Sequence, residues 1–118
     1  VMARMTVKKN NVNRWGIYSI SKKLNNQNFV ISNVIEKPST KEAPSNNAVI
    51  GRYILDKKIF EILKKQKKGK GGEIHITDSI KTMIDNKSLF IGHKFSGKYL
   101  DCGSMNGYIN STLEIAKL

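Results

Sequence analysis

A mixed α/β protein, α/β or α+β with short elements in mixed order, is the fold class this sequence predicts. Three observations carry that reading. β-Branched and aromatic runs occupy residues 15–20, 29–35 and 48–55. Apolar residues recur at helical spacing after residues 56, 77 and 104. Turn-forming residues separate almost every one of these segments.

Residues 1–7 read as a terminal strand and 8–14 as a polar, Asn-rich loop. Residues 15–20 (Trp-Gly-Ile-Tyr-Ser-Ile) read as a strand with Gly16 inside it, and a polar turn over 21–28 leads to a strand over 29–35. The pair is expected to form a hairpin. Lys37-Pro38 stops the second strand, because proline has no amide to give to a ladder. A loop over 39–46 precedes a strand over 48–55. Asp56 can cap a helix whose Ile59, Phe60, Ile62 and Leu63 make one broad apolar face. Lysines and three glycines break it between 64 and 72. Thr77 is expected to cap a second helix, with Asp78 in its first turn and Ile80, Met83 and Ile84 facing inward. Residues 88–95 read as a strand and 96–98 as a turn. Ser104 can cap a last helix with Met105, Tyr108, Ile109, Thr112 and Ala116 on one face.

With 118 residues the chain allows one domain, and 39% hydrophobic content limits it to a modest core. No apolar run reaches membrane-spanning length, and the first five residues do not resemble a secretory signal. One cysteine excludes an intramolecular disulfide framework and fits a reducing cytoplasm; two histidines argue against a His-rich metal site. The net charge of +12 has two readings, a solvated lysine-rich surface or attraction of anions such as nucleotide, phosphate or nucleic acid. Five lysines between 64 and 70 have no aromatic residue among them. Single-strand binders combine basic grooves with stacking aromatics, so nucleic acid is disfavoured as a partner.

Two sites attract attention on chemical grounds. Glu36-Lys37-Pro38 closes the apolar run 29–35, and Asp101-Cys102-Gly103 closes Tyr99-Leu100. Strand ends are where open α/β sheets place ligands. A carboxylate such as Glu36 can accept hydrogen bonds from two sugar hydroxyls, and an ammonium such as Lys37 can neutralise a phosphate. By composition alone the solvated strand end is the favoured reading of the pair. Asp101 is a turn former, a helix cap or a magnesium ligand, and Gly103 beside it would leave room for a ligand. Cys102 reads as a small buried residue. Gly69, Gly71 and Gly72 follow a helix and lack a Gly-Lys-Ser/Thr ending, which excludes a P-loop. His75 and His93 have no partner at a fixed spacing.

Val34-Ile-Glu-Lys-Pro38, Ala43-Pro-Ser-Asn46, Val49-Ile-Gly-Arg-Tyr53, Gly72-Glu-Ile-His-Ile-Thr-Asp78 and Asp101-Cys-Gly103 occur in this order. Together they resemble the C-terminal part of the bacterial UTP–glucose-1-phosphate uridylyltransferases. The resemblance implies a Rossmann-like nucleotidyltransferase fold with a mixed sheet, of which residues 1–118 form a single partial domain without the N-terminal nucleotide-binding half. It implies formation of UDP-glucose and pyrophosphate from UTP and glucose 1-phosphate with Mg2+, in an enzyme that is a homo-oligomer when complete. Glu36 would hold glucose hydroxyls and Lys37 the sugar phosphate. Asp101 would be one of two magnesium ligands, and Lys37 and Asp101 would be the catalytic residues. Gly16 would lie against the sugar ring, with Ala48 and Val49 beside the pocket.

Three departures accompany the resemblance. Trp15 stands where the family usually has Tyr, and His75 where it usually has Gln. The family's Gly-x-Gly-Thr-Arg nucleotide loop, triphosphate lysine and second magnesium aspartate do not occur in these residues. The chain by itself is therefore expected to be inactive, as a gene fragment, an excised domain or one product of a split gene whose N-terminal half is a separate polypeptide. Three other readings stay open. A thymidylyltransferase-type fragment would typically show Asp-Thr-Gly in place of Asp101-Cys102-Gly103. A small basic nucleic-acid-binding module rests on the charge alone. A chain that is not stably folded would follow if its strands lacked neighbours and exposed their edges.

Overall fold

The computed structural model describes residues 1–118. Its five strands are β1 (Met2–Thr6), β2 (Gly16–Lys23), β3 (Asn28–Glu36), β4 (Asn47–Tyr53) and β5 (Phe90–Lys94). They close into a small barrel in the order β1-β4-β2-β3-β5, and β5 returns to β1. That last pair is parallel and every other pair is antiparallel, so the sheet is mixed. Closure leaves no long unpaired edge of the kind expected for a chain lacking neighbours.

β2 and β3 form the expected hairpin, with Gly16 opposite Glu36. The Asn25 side-chain oxygen closes the turn by accepting from the amides of Gln27 and Asn28, at 2.9 and 2.8 Å. Alternation along each strand sorts side chains into two clusters. Tyr18 and Val49 point into the main core with Met2, Ile31, Val34 and Phe90. Their neighbours Ile17 and Ala48 point the other way, onto Val12. Ile31 and Val34 break the period of two yet share one cluster; the β2–β3 register shifts at the facing Ser19–Lys22 positions.

Helix α1 (Ile59–Lys65) and helix α2 (Ile76–Asp85) cover this core through Ile59, Ile80 and Met83. Asp56 accepts from the Lys58 amide at 2.9 Å ahead of α1, as its sequence position suggests, but Phe60 is exposed. Thr77 is not the cap of α2. His75 is the flanking residue, and Thr77 is buried within the first turn. The expected loop over 8–14 contains a 3-10 helix, Lys9–Arg14, that buries Val12.

Helix α3 (Met105–Ala116) begins as expected, with the Ser104 hydroxyl accepting from the Gly107 amide at 3.1 Å. Its apolar face does not meet the barrel. Met105, Tyr108, Ile109, Leu113 and Ile115 are exposed, and Ser111 is the buried residue. Lys98 pairs with Glu114, tying the preceding loop to this helix. That loop also changes two expectations. Asp101 lies beyond the end of β5 rather than at a strand end, and Cys102 is exposed rather than buried. No helix is long and apolar enough to cross a membrane.

Candidate functional site

The start of β2 and the end of β3 lie side by side, and the first turn of α2 packs against both. The approach is close because residue 16 has no side chain. A Cβ there would sit 3.1 Å from Glu36 Oε2 and 3.1 Å from Thr77 Cγ2. The space so opened belongs to a cleft of about 430 Å3 lined by Gly16, Glu36, Val49, Tyr53, His75 and Thr77, with Arg14 and Trp15 at one side. Four other surface depressions contain none of the residues that the sequence assigns to sugar, phosphate or metal.

Of those residues, Gly16, Glu36 and Val49 line this cleft. Ala48 is buried, paired with Ile17 behind the cleft wall. Lys37 is exposed and follows the lining residue Glu36. It has a φ of 42°, a left-handed backbone that a non-glycine residue adopts at a cost of order 1 kcal/mol. Its amide donates to the Trp15 carbonyl at 3.0 Å, and its carbonyl accepts from the Lys70 ammonium. Asp101 is outside the cleft lining. It connects to the cleft through Arg14, whose Nη2 lies 3.0 Å from Asp101 Oδ2. Gly103 is used by Asp101 itself: the Gly103 amide donates to Asp101 Oδ1 at 3.0 Å, and a Cβ on Gly103 would sit 3.1 Å from that oxygen.

Tyr53 and Glu36 interact electrostatically. Burial pushes the Tyr53 phenol above its ordinary pKa, and the Glu36 carboxylate adds to the shift, since a second negative charge nearby is unfavourable. The Arg14 guanidinium lies over the Trp15 ring, 4.9 Å from its centroid. The cleft thus offers one carboxylate, one hydroxyl, a phenol and an indole, with cations at its rim. Such a surface can hold a polyol by hydrogen bonds and stacking while a cation meets an attached anion.

Arg14, Tyr53 and Thr77 were not singled out from the sequence as site residues. Arg14 precedes Trp15-Gly16, but nothing in a linear reading pairs it with an aspartate 87 positions away. Thr77 reads more simply as a helix cap. The Ala43-Pro-Ser-Asn46 segment anchors its own loop. The Ser45 hydroxyl donates to the Tyr18 carbonyl at 2.5 Å and accepts from the Asn47 amide at 2.9 Å, fixing the loop to β2.

A profile of the nucleotidyl transferase family matches residues 2–117. A UTP–glucose-1-phosphate uridylyltransferase of Pseudomonas aeruginosa is 38% identical over 112 residues, which is 95% of this chain and 39% of that protein. UTP–glucose-1-phosphate uridylyltransferase 2 of Streptococcus pyogenes serotype M3 is 36% identical over 115 residues, covering 98% of this chain and 38% of the relative. Among solved structures, a UDP-glucose pyrophosphorylase complexed with UDP-glucose superimposes with a TM-score of 0.92 at 40% identity, over 98% of this chain and 43% of that one. A UTP-bound UGPase from Acinetobacter baumannii gives 0.76 at 30% identity, over 97% of this chain and 38% of that one. The chain thus spans about two fifths of the length of the proteins it matches.

Proposed function

Because the chain belongs to the nucleotidyl transferase family, we propose that it is the sugar-phosphate-binding part of a UTP–glucose-1-phosphate uridylyltransferase, the enzyme that forms UDP-glucose and pyrophosphate. The observation that carries this reading is the convergence of Gly16, Glu36 and Val49 on one cleft. The likeness to a pyrophosphorylase solved with UDP-glucose supports it.

Glu36 accepts hydrogen bonds from hexose hydroxyls in the gap left by Gly16, and Val49 and Tyr53 wall the ring. Lys37 neutralises the sugar phosphate. Attack of that phosphate on the α-phosphorus of UTP is an in-line transfer, helped by positioning and charge stabilisation rather than by a protein nucleophile. Mg2+ would supply charge neutralisation on the phosphates. Asp101 would offer one carboxylate to such an ion on giving up its ion pair with Arg14, since magnesium takes one or two carboxylates and completes its shell with phosphates and water. No group of three or more His, Cys, Asp or Glu in this chain could hold a metal. In this reading the other magnesium carboxylate and the nucleotide loop belong to the part of the relatives that this chain does not span. The exposed apolar face of α3 is consistent with such a neighbour. The single cysteine fits a cytoplasmic setting.

The uridylyl reading is preferred to a thymidylyl one because Cys102 follows Asp101. Calorimetric titration of the chain with glucose 1-phosphate tests the proposal. Saturable binding that is lost in Glu36→Gln is expected, with no steady-state pyrophosphate release when UTP is added. Absence of binding removes the sugar-phosphate assignment, and sustained pyrophosphate release refutes the need for an outside nucleotide loop.

A further inference from the structure

The segment after α1 is tied by hydrogen bonds to the cleft-lining residue His75, while its lysines stay exposed. The Gln66 amide donates to the His75 carbonyl at 2.8 Å, and the Ser79 hydroxyl donates to the Gln66 side-chain oxygen. The Gly69 amide donates to the Glu73 carbonyl at 2.8 Å. The turn between them uses Gly71 and Gly72, with φ of 72° and 77°. The ring of His75, a cleft-lining residue, lies with Nε2 at 2.8 Å from the Lys70 carbonyl. A carbonyl only accepts, so Nε2 carries the proton and the imidazole donates. Beyond this latch the Lys70 side chain reaches across and donates to the Lys37 carbonyl.

An ammonium has three donor hydrogens, and this contact uses one. The other two remain available beside the backbone of Lys37 and within the field of Glu42, whose carboxyl is held below its ordinary pKa first by hydrogen bonds from Ser39 and only last by the charge of Lys70. The contact also holds the left-handed conformation of Lys37 from its carbonyl side, while the Trp15 carbonyl holds it from the amide side. Lys70 is thus the one lysine of the 64–70 run whose hydrogen bond to the glutamate–lysine pair joins it to the cleft rim.

We propose that Lys70 is a second phosphate-contacting cation of this cleft, that His75 is the positioning residue that holds it there, and that together they favour a phosphorylated hexose over a free one. This rests on the sugar-phosphate reading above. The flat, flexible charge of an unlatched lysine loop would add only general attraction, which salt screens. A latched ammonium adds a contact of fixed geometry.

The test is titration of the 118-residue chain and its variants with glucose 1-phosphate and, separately, with glucose. Lys70→Gln is expected to weaken glucose 1-phosphate binding roughly three- to fivefold, the scale of an exposed charged contact, and to leave glucose binding unchanged. Lys70→Arg restores the affinity. His75→Ala reproduces the loss, and His75→Gln, whose amide can still donate to the Lys70 carbonyl, restores it. Lys64→Gln, which removes the same charge from the end of α1, leaves affinity unchanged. Equal affinities of wild type and Lys70→Gln overturn the role of Lys70, as does an equal loss in Lys64→Gln. Wild-type affinity in His75→Ala overturns the latch. If the wild-type chain binds no glucose 1-phosphate, the sugar-phosphate reading falls and this inference with it.

Discussion

Arg14 and Asp101, 87 residues apart in sequence, meet in an ion pair with Arg14 Nη2 3.0 Å from Asp101 Oδ2. The pair connects the cleft to a loop that otherwise stands apart from it. Both side chains are partly exposed, at 53% and 36%. The expected contribution to stability is therefore small, about 0–1 kcal/mol. Arg14→Ala should shift the urea midpoint little. It should nonetheless change the emission of Trp15, the only tryptophan, by removing the cation from its ring. An unaltered spectrum would mean that the two do not stack in solution.

Gly16 is the second point of leverage. An added methyl would press on Glu36 Oε2 and on the buried Thr77, each at 3.1 Å. Overpacking of this kind costs about 1–3 kcal/mol. Gly16→Ala should lower stability and abolish hexose-phosphate binding. Gly92→Ala provides the comparison: its Cβ would crowd Ile31 Cδ1 at 3.2 Å, away from the cleft. It should destabilise without changing affinity in the molecules that remain folded. Equal loss of binding in both variants would detach Gly16 from the site.

Tyr53 gives the cleft a signature at alkaline pH. Its pKa in the fold is raised, first by burial and then by Glu36. The folded chain therefore keeps this phenol protonated where the unfolded chain, with an ordinary pKa of about 10, has begun to ionise. Its contribution is fully present below that pH and is lost as pH rises through the raised value. Tyr53→Phe should flatten the alkaline fall in urea stability. Glu36→Gln should bring the Tyr53 titration, followed by phenolate absorbance, back toward the ordinary value. No movement in Glu36→Gln would show that the two groups do not sense each other.

The apolar face of α3 predicts association. Ile109 and Leu113 lie four residues apart on one face and are exposed. The isolated chain should bind a hydrophobic dye and self-associate with rising concentration. Replacing both residues by lysine should reduce each effect while leaving the far-ultraviolet dichroism unchanged. Sedimentation as a monomer by the unmodified chain at all concentrations would contradict this.

Much of the fold could be read along the chain because local signals and tertiary packing agree. The Phe29–Ile35 run, the proline after Lys37 and the polar turn around Asn25 each specify a strand, its end and its hairpin. Other features needed spatial information. Thr77 has the composition of a cap, but it is buried within the first turn of α2, with its side chain close against Gly16. The α3 stripe reads as core because amphipathicity reports that a face will be covered, not by what. Closure of the barrel through the parallel β1–β5 pair joins strands separated by most of the sequence, which no short-range pattern encodes. In the cleft, Glu36 belongs to the Val34–Pro38 motif, whereas Gly16 was expected from the resemblance alone. The Arg14–Asp101 and Lys70–Lys37 contacts arise only from folding.

Amide chemical-shift mapping of the labelled chain during titration with glucose 1-phosphate addresses the cleft most directly. Saturable shifts clustered at Gly16, Glu36, Lys37, Val49 and Tyr53, and absent in Glu36→Gln, are the predicted result. Shifts confined to exposed lysines elsewhere, or none at saturating sugar phosphate, would contradict the account.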